Sequence, residues 1–324
     1  CSGSNTTGTS RVMLCPTGKY STGVGNGICT DSQQGYCVST NGSTCVGNGN
    51  LGGKSRIECV AGSYGPNISN DDCPLCAAGK YSTSAQSNTC IDITAGNCGS
   101  TDNINCITGT GGIATNGTGS KFMIICSLGR YSGANASDCN AAVAGSCSSN
   151  DGGITCITGT NTGATSVKIC PKGRYSTASV NTDCTQCVEG KYSGTLGASL
   201  ASTCLSAGPG KCSSNDGFSC VGNGVIAAEN VINCAEGTYS SQENNSLCTA
   251  AAKGYCATIT GTNTCIGAGN KAATDQLICP SGTFTSILGS TSCTSVSAGK
   301  CASNGSVCIG TTVQSTGAIA EQDC

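Results

Sequence analysis

The stretch Cys15-Pro16-Thr17-Gly18-Lys19-Tyr20-Ser21 opens a unit that the rest of the chain copies. Further cysteines follow at Cys29, Cys37 and Cys45, and Cys59-Val60-Ala61-Gly62-Ser63-Tyr64 opens the next unit. The cysteine steps are 14, 8, 8 and 14 residues, a period of 44. A period in this range marks small supersecondary units, stacked or strung, rather than one globular core. The four cysteines of a unit are labelled a, b, c and d below.

Full units open at Cys15, Cys76, Cys126, Cys187, Cys234 and Cys279, giving modules 15–58, 76–125, 126–169, 187–233, 234–278 and 279–323. Two half modules, 59–75 and 170–186, carry only a and b. Residues 1–14 read as a truncated unit with Cys1 in the d phase, and Cys324 reads as the start of a next unit. The sequence opens on Cys1 without an initiator Met and closes on Cys324, and is expected to be a mature chain or an excerpt of a longer one. An offset of 111 separates Cys15 from Cys126, Cys59 from Cys170 and Cys76 from Cys187, so a full–half–full block is duplicated whole. Every opening reads Cys-x-x-Gly-x-aromatic, at Tyr20, Tyr64, Tyr81, Tyr131, Tyr175, Tyr192, Tyr239 and Phe284. Position c always follows Gly-x, at Gly35, Gly96, Gly145, Gly210, Gly254 and Gly299. Val or Ile always follows d, as at Val46, Ile107, Ile157, Val221, Ile266 and Ile309.

Leu, Ile, Val and Phe make up about 15% of the 324 residues, and Trp is absent. A fraction below roughly 20% signals disorder when net charge is high, but here the net charge is −2. The 30 cysteines take the place of a large apolar core. A disulfide that closes a loop of this length stabilises by about 3 kcal/mol through the unfolded chain's entropy. So many regularly spaced thiols imply an oxidising compartment, so an extracellular location is expected, either at a cell surface or in a secreted fibre. With 15 basic and 17 acidic residues in no long runs, charge offers nothing for nucleic acid or a membrane surface. No run of apolar residues is long enough for a membrane span.

The expected fold is a small disulfide-rich one, mostly β or irregular: an elongated tandem array of short hairpins with little or no helix. Steps such as Asn41-Gly42, Asp151-Gly152 and Asp216-Gly217 lie between c and d, where a tight hairpin reverses. Apolar stretches such as Phe122-Met123-Ile124-Ile125 and Val231-Ile232 read as brief strands leading into an opening cysteine. Each opening aromatic is expected to cover the disulfide of its module. Two pairings remain open. One joins a to b and c to d, giving Cys15–Cys29, Cys37–Cys45, Cys59–Cys73, Cys76–Cys90 and Cys98–Cys106, and leaves Cys1 and Cys324 for bridges between subunits. The half modules, which hold only a and b, favour it. The other joins next neighbours from Cys1 onward, and closes Cys73–Cys76 and Cys184–Cys187 as tight rings.

Those two CxxC motifs carry a redox or zinc reading. They also fall where one module meets the next, and the structural reading is preferred. Histidine is absent, which removes the commonest general base and a common zinc ligand. Asp71-Asp72 reads as a solvated turn rather than a calcium loop, and Gly109-Thr110-Gly111-Gly112 lacks the lysine of a phosphate cradle. No catalytic residue, cofactor or metal is therefore expected. Sequons stand at Asn5, Asn41, Asn67, Asn116, Asn135, Asn244 and Asn304, each a candidate for N-glycosylation.

The opening Cys170-Pro171-Lys172-Gly173-Arg174-Tyr175-Ser176 resembles the cysteine-rich modules of ephrin-receptor-like and TNF-receptor-like ectodomains. In those families the first cysteine closes on the next one. The tandem, weakly charged, Ser-, Thr- and Gly-rich composition is more similar to the immobilisation-type surface antigens of ciliates, secreted proteins that coat the cell. The resemblance implies a non-catalytic structural protein, a subunit of a coat or extracellular filament whose partner is itself, joined head to tail or laterally. The alternative is a receptor or adhesion ectodomain for a protein or glycan ligand. A binding face wants clustered aromatics, yet only Tyr36, Phe122, Phe218 and Tyr255 lie off the scaffold position. A thiol oxidoreductase would need free thiols in the native protein.

Overall fold

In each opening the residue after the glycine donates its amide to the residue after the cysteine, Lys19 to Pro16 at 3.1 Å and Lys80 to Ala77 at 3.0 Å. The third residue of this turn has positive φ, 75° at Gly18 and 80° at Gly79, which glycine adopts without steric cost. The turn launches a two-residue strand ending on the aromatic. Lys19–Tyr20 pairs antiparallel with Thr30–Asp31, and Lys80–Tyr81 with Ile91–Asp92. The a–b disulfide closes this small hairpin. The half module opening at Cys59 is slighter still, with a single bridge between Ser63 and Leu75.

The computed structural model describes residues 12–25, 27–47, 49–107, 117–159, 162–309 and 317–324. Among them are thirteen two-stranded sheets, each joining consecutive strands. No α-helix occurs among the described residues, and Ala201–Thr203 forms one 3-10 turn. The fold is therefore the small disulfide-rich, mostly β or irregular one that the cysteine spacing implies.

The c–d half modules hold the longer hairpins. Tyr36–Ser39 pairs with Ser55–Glu58, and Asn97–Ser100 with Phe122–Ile125. The apolar stretches before the opening cysteines are thus strands. Their partner differs from a hairpin folded about the Asn-Gly step, because the c strand meets the chain just before the next a cysteine. Only an isolated bridge, Ser39 with Cys45, spans the Asn-Gly loop itself. The disulfide and the loop's polar side chains close that short turn, which frees the strand edge for the more distant partner.

The chain gathers into two compact units, and one packing rule recurs in each. The first comprises Cys1–Val143, Cys147–Lys168 and Ser179–Asp183; the second comprises Ala144–Ser146, Ile169–Ala178 and Cys184–Cys324. In both, the positive-φ glycine of a half module lies against the backbone of the half module two steps further on. In the first unit Gly18 meets Ser69, Gly35 meets Gln86, Gly62 meets Gly119, Gly79 meets Asn135, Gly96 meets Gly163, and Gly129 meets Val180. In the second, Gly145 meets Gly197, Gly173 meets Ala227, Gly190 meets Asn244, Gly210 meets Ala272, Gly237 meets Gly289, and Gly254 meets Gly317. We call the first member of each pair a seat and the second a knuckle. The approach leaves no room for a side chain: a Cβ on Gly210 would lie 2.5 Å from the Ala272 carbonyl oxygen. Most knuckles also have positive φ, including the non-glycine residues Ser69, Gln86, Asn135, Val180, Ala227, Asn244 and Ala272.

The core is made mostly of cysteines, serines and alanines, with Val38, Ile93, Ile107 and Ile157 also buried. Cys98, Cys126 and Cys139 form one buried cluster, with Cys106 and Ile124 packed against it. In another, Tyr239 and Ile266 pack on Ala251, Ala257 and Ala273. Tyr239 therefore rests on small alanines, where the sequence suggested a cover for the disulfide. The aromatics also form parallel bridges to a small residue of the next half module, such as Tyr20 with Gly53, Tyr81 with Ser120 and Tyr239 with Ala273. The residue that follows the aromatic is buried at Ser82, Ser132, Ser176, Ser193 and Ser240. At three of these the hydroxyl donates back to the preceding c strand, Ser132 to the Asn97 carbonyl at 2.7 Å, and Ser176 and Ser240 to those of Ser146 and Lys211 at 3.0 Å.

The seats make a direct prediction about stability. Gly190→Ala adds a left-handed alanine, about 1–2 kcal/mol, and an overlap with the Asn244 carbonyl worth a further ~1–3 kcal/mol. Gly282→Ala carries the left-handed term alone, because no described residue lies within 4 Å of its Cβ position. Denaturant unfolding of the two variants should show clearly greater destabilisation for Gly190→Ala. Equal losses would mean that the seats bear no packing load.

Candidate functional site

Fourteen disulfides bond the described cysteines, all in the a–b, c–d register, with Cα–Cα distances of 5.5 to 5.7 Å. Cys15 bonds Cys29, Cys37 bonds Cys45, Cys59 bonds Cys73, Cys76 bonds Cys90, and Cys98 bonds Cys106. The next-neighbour alternative does not occur. Both CxxC motifs are therefore module junctions, since Cys73 and Cys76 bond Cys59 and Cys90, and Cys184 and Cys187 bond Cys170 and Cys204. Cys324 is free and exposed. Its amide donates to Gly299 at 3.2 Å, as the amides of Cys59 and Cys279 donate to Gly35 and Gly254 at 2.9 Å. Cys324 thus occupies the place of an opening cysteine. Cys1 lies outside the described residues.

The disulfides are neighbours as well as staples. The d sulfur of one half module lies against the b sulfur of the next, 3.6 Å for Cys45 and Cys73 and 3.6 Å for Cys106 and Cys139. Cys220 and Cys248 approach to 3.7 Å, and Cys265 and Cys293 to 3.8 Å. With their c partners these sulfurs form triplets such as Cys37, Cys45 and Cys73, within 4.8 Å of one another. Metal ligation needs the thiolate, and every sulfur of these triplets is bonded to another.

Between c and d, polar side chains take over the work of closing the turn. In the loop after Cys147 the Asp151 carboxylate accepts from the Thr155 hydroxyl at 2.5 Å, the Ser149 hydroxyl at 2.7 Å and the Ile154 amide at 2.9 Å. Asp216 accepts from the Ser219 hydroxyl at 2.6 Å and from the Ser219 and Phe218 amides at 2.8 Å. Asp102 accepts from the Asn105 and Ile104 amides, both at 2.8 Å. These donors hold all three carboxyls well below the usual carboxylate range, led by the Asn105 amide at Asp102, the Thr155 hydroxyl at Asp151 and the Ser219 hydroxyl at Asp216. Asn41 and Asn304 serve as neutral counterparts, accepting from Ser43 and Thr44 and from Ser306 and Val307.

The remaining predicted residues scatter over the surface. Asp71 accepts from the Gly49 amide at 2.7 Å, and Asp72 from that of Cys73 at 2.8 Å, so both act as turn caps. Among the sequons, Asn67 and Asn135 are exposed, and Asn244 is exposed with its amide oxygen accepting from Ser206 at 3.0 Å. Asn41 is engaged on both sides, its amide nitrogen donating to the Thr44 hydroxyl at 2.9 Å. Asn5, Asn116 and the Gly109–Gly112 stretch lie outside the described residues. Sequence reasoning missed the seats and the buried serine. Both had a signal, a glycine at fixed phase and a serine after nearly every opening tyrosine.

Fold and sites together define a cysteine-rich, disulfide-bonded protein of repeated modules, of a kind that fits an oxidising compartment. No helix among the described residues is long and apolar enough to cross a membrane. No protein-family model matches the chain, and a search of curated proteins finds no match either.

Two predictions follow from the loop and sulfur geometry. A carboxyl whose folded pKa is depressed stabilises the fold above its ordinary pKa, and that stabilisation disappears as pH falls through the folded value. Melting temperature should therefore hold from neutral pH to about pH 4 and fall below it. The triple variant Asp102→Asn, Asp151→Asn, Asp216→Asn should blunt that acid loss, while Asp151→Ala should lower the melting temperature at pH 7 as well. An unchanged acid profile in the triple variant would show that these loops do not set it.

The second concerns thiol–disulfide exchange. When dithiothreitol opens Cys59–Cys73, the Cys73 thiolate stands 3.6 Å from Cys45. Attack forms Cys45–Cys73 and releases Cys37 as the thiolate. Alkylation trapping and peptide mapping after mild reduction should find Cys45–Cys73 ahead of other non-native pairs; random pairs would contradict the geometry.

Proposed function

We propose that the chain is a non-catalytic extracellular structural protein, a subunit of a surface coat or extracellular filament. The observation that carries this reading is the repeated seat-and-knuckle packing, which uses backbone and disulfides and recurs in both units. Repeats that contact only near neighbours suit load-bearing or covering roles, since each added module brings its own staples and one more interface. The similarity to immobilisation-type ciliate surface antigens rests on tandem cysteine spacing and composition, and points the same way. Glycans fit this surface, with Asn67 and Asn135 as the preferred acceptors because their side chains are exposed and Asn41 is occupied in closing its loop. Self-association is the expected partnership, with Cys1 and Cys324 proposed to bridge subunits.

Electrophoresis of native material with and without reductant tests the proposal, combined with mapping of the Cys1 and Cys324 peptides. A ladder of multimers that collapses on reduction, with either cysteine in an intermolecular bridge, is the expected result for a covalently linked coat. A soluble monomer absent from cell surfaces and extracellular fibres would contradict it.

A further inference from the structure

Three c–d loops close on an aspartate, and another closes in the same register on an asparagine followed by glycine. Asn41 stands two residues after Ser39, as Asp102, Asp151 and Asp216 stand after Ser100, Ser149 and Ser214. Its Oδ1 accepts from the Ser43 amide at 2.8 Å and the Thr44 amide at 2.9 Å, and the Ser39 hydroxyl stands 3.1 Å away. Asp216 takes the same set from Phe218, Ser219 and Ser214, at 2.8, 2.8 and 3.0 Å. The Gly42 amide donates to Ser39 Oγ at 2.9 Å, as that of Gly217 does to Ser214. Nδ2 of Asn41 donates to the Thr44 hydroxyl at 2.9 Å, where at Asp216 the Ser219 hydroxyl donates to Oδ2 at 2.6 Å. The Asn41 loop is thus an aspartate loop that carries an amide.

We infer that Asn41 is a site of self-catalysed deamidation, at which the folded loop converts its own asparagine to aspartate. The Gly42 nitrogen attacks Asn41 Cγ, and glycine leaves that nitrogen unhindered. As the bond forms, charge gathers on Oδ1, where the two amides and the Ser39 hydroxyl act as an oxyanion hole. Ser39 Oγ touches both ends of the proton transfer, taking the Gly42 proton and passing its own to Oδ1. The Cγ–Nδ2 bond then breaks, and the Thr44 hydroxyl beside Nδ2 protonates the departing ammonia. Water adds to Cγ of the cyclic imide, the bond from Cγ to the Gly42 nitrogen breaks, and that nitrogen recovers a proton. The net change is asparagine and water to aspartate and ammonium. Ser39 is buried while Asn41 and Gly42 are exposed, so water reaches the second step. The product carboxylate enters the kind of donor ring that holds Asp102, Asp151 and Asp216 below the usual carboxylate range. A glycan on Asn41 excludes the conversion, since both use Nδ2. Two other Asn-Gly steps are built differently. At Asn223 the Oδ1 accepts from the Ser246 hydroxyl at 3.2 Å, and the Glu189 carboxylate holds the Gly224 amide at 2.8 Å. At Asn304 the two loop amides stand at 3.1 Å, but the Ser303 hydroxyl turns to Gln322 at 3.3 Å.

The test uses the whole oxidised chain, produced without N-glycosylation and incubated at neutral pH. Digestion at acidic pH and mass spectrometry then follow the peptides that contain Asn41, Asn223 and Asn304. Asn41 should convert at least about tenfold faster than Asn223, with Asn304 between them, since placed donors and proton relays act on that scale or above. Ser39→Ala should bring Asn41 down toward the rate of Asn223. Ser39→Thr should restore it, because Thr258 fills the corresponding place in a sister loop, its hydroxyl donating to the Thr264 carbonyl at 2.7 Å as that of Ser39 does to Thr44 at 2.7 Å. A loop that merely holds Asn41 in place would convert faster, not slower, when Ser39→Ala loosens it, and that result would overturn the inference. So would a reduced, unfolded chain that converts Asn41 as fast as the folded one, which would assign the reactivity to the Asn-Gly step alone. The comparison of folded with unfolded chain needs no variant, and it decides the matter even where Ser39→Ala fails to fold.

Discussion

Everything in this fold depends on a chain that cannot bury enough apolar surface and must restrict itself by other means. Disulfides that close loops of 7 to 17 residues remove much of the unfolded chain's freedom locally. What they produce is a set of small, rigid half modules, each too slight to have a core. The seat glycines then let one half module's backbone come directly against another's, so that dispersion and backbone hydrogen bonding replace side-chain interdigitation. The buried residues are accordingly mostly Cys, Ser and Ala, small enough to allow that approach. Remove the disulfides and the half modules lose their shape; add a side chain to the seats and they cannot meet.

The polar loops follow from the same constraint. A c–d turn closed by a disulfide 8 residues apart, as at Cys37–Cys45, has few backbone partners of its own. Asp or Asn one or two residues past the strand supplies acceptors for the amides that the turn leaves open, a local alternative to a ladder. Asp102, Asp151 and Asp216 sit in an anion-stabilising ring of donors, while Asn41 and Asn304 make the same geometry without charge. Their depressed pKa values are therefore a sign of turn closure.

Much of the fold was legible in the sequence because cysteine phase is a covalent signal. The half modules Cys59 to Cys73 and Cys170 to Cys184 pointed to the a–b register, and the apolar stretch Phe122 to Ile125 marked a strand. The strand's partner was harder to read. Asn41-Gly42 looks like a hairpin turn, yet Tyr36–Ser39 pairs with Ser55–Glu58, because nothing local decides between two edges when a disulfide already closes the nearer one. The Cys324 thiol and the turn caps at Asp71 and Asp72 were readable as residues, but their surroundings were not.

The seats were hidden for a more general reason. A contact between side chains leaves a matched pair of residue types, whereas a contact between a glycine and a carbonyl constrains one side only. The glycines at the seats are fixed in phase, and the knuckles facing them are Ser69, Gln86, Asn135, Val180, Ala227 and others with no chemistry in common. What the knuckle must provide is a backbone bent to positive φ, and several residue types tolerate that when the surroundings enforce it. Such a surface tolerates substitution freely on its outer, side-chain face while keeping its inner contacts unchanged. In the coat role proposed above, that separation would let exposed positions vary without disturbing the framework that holds them.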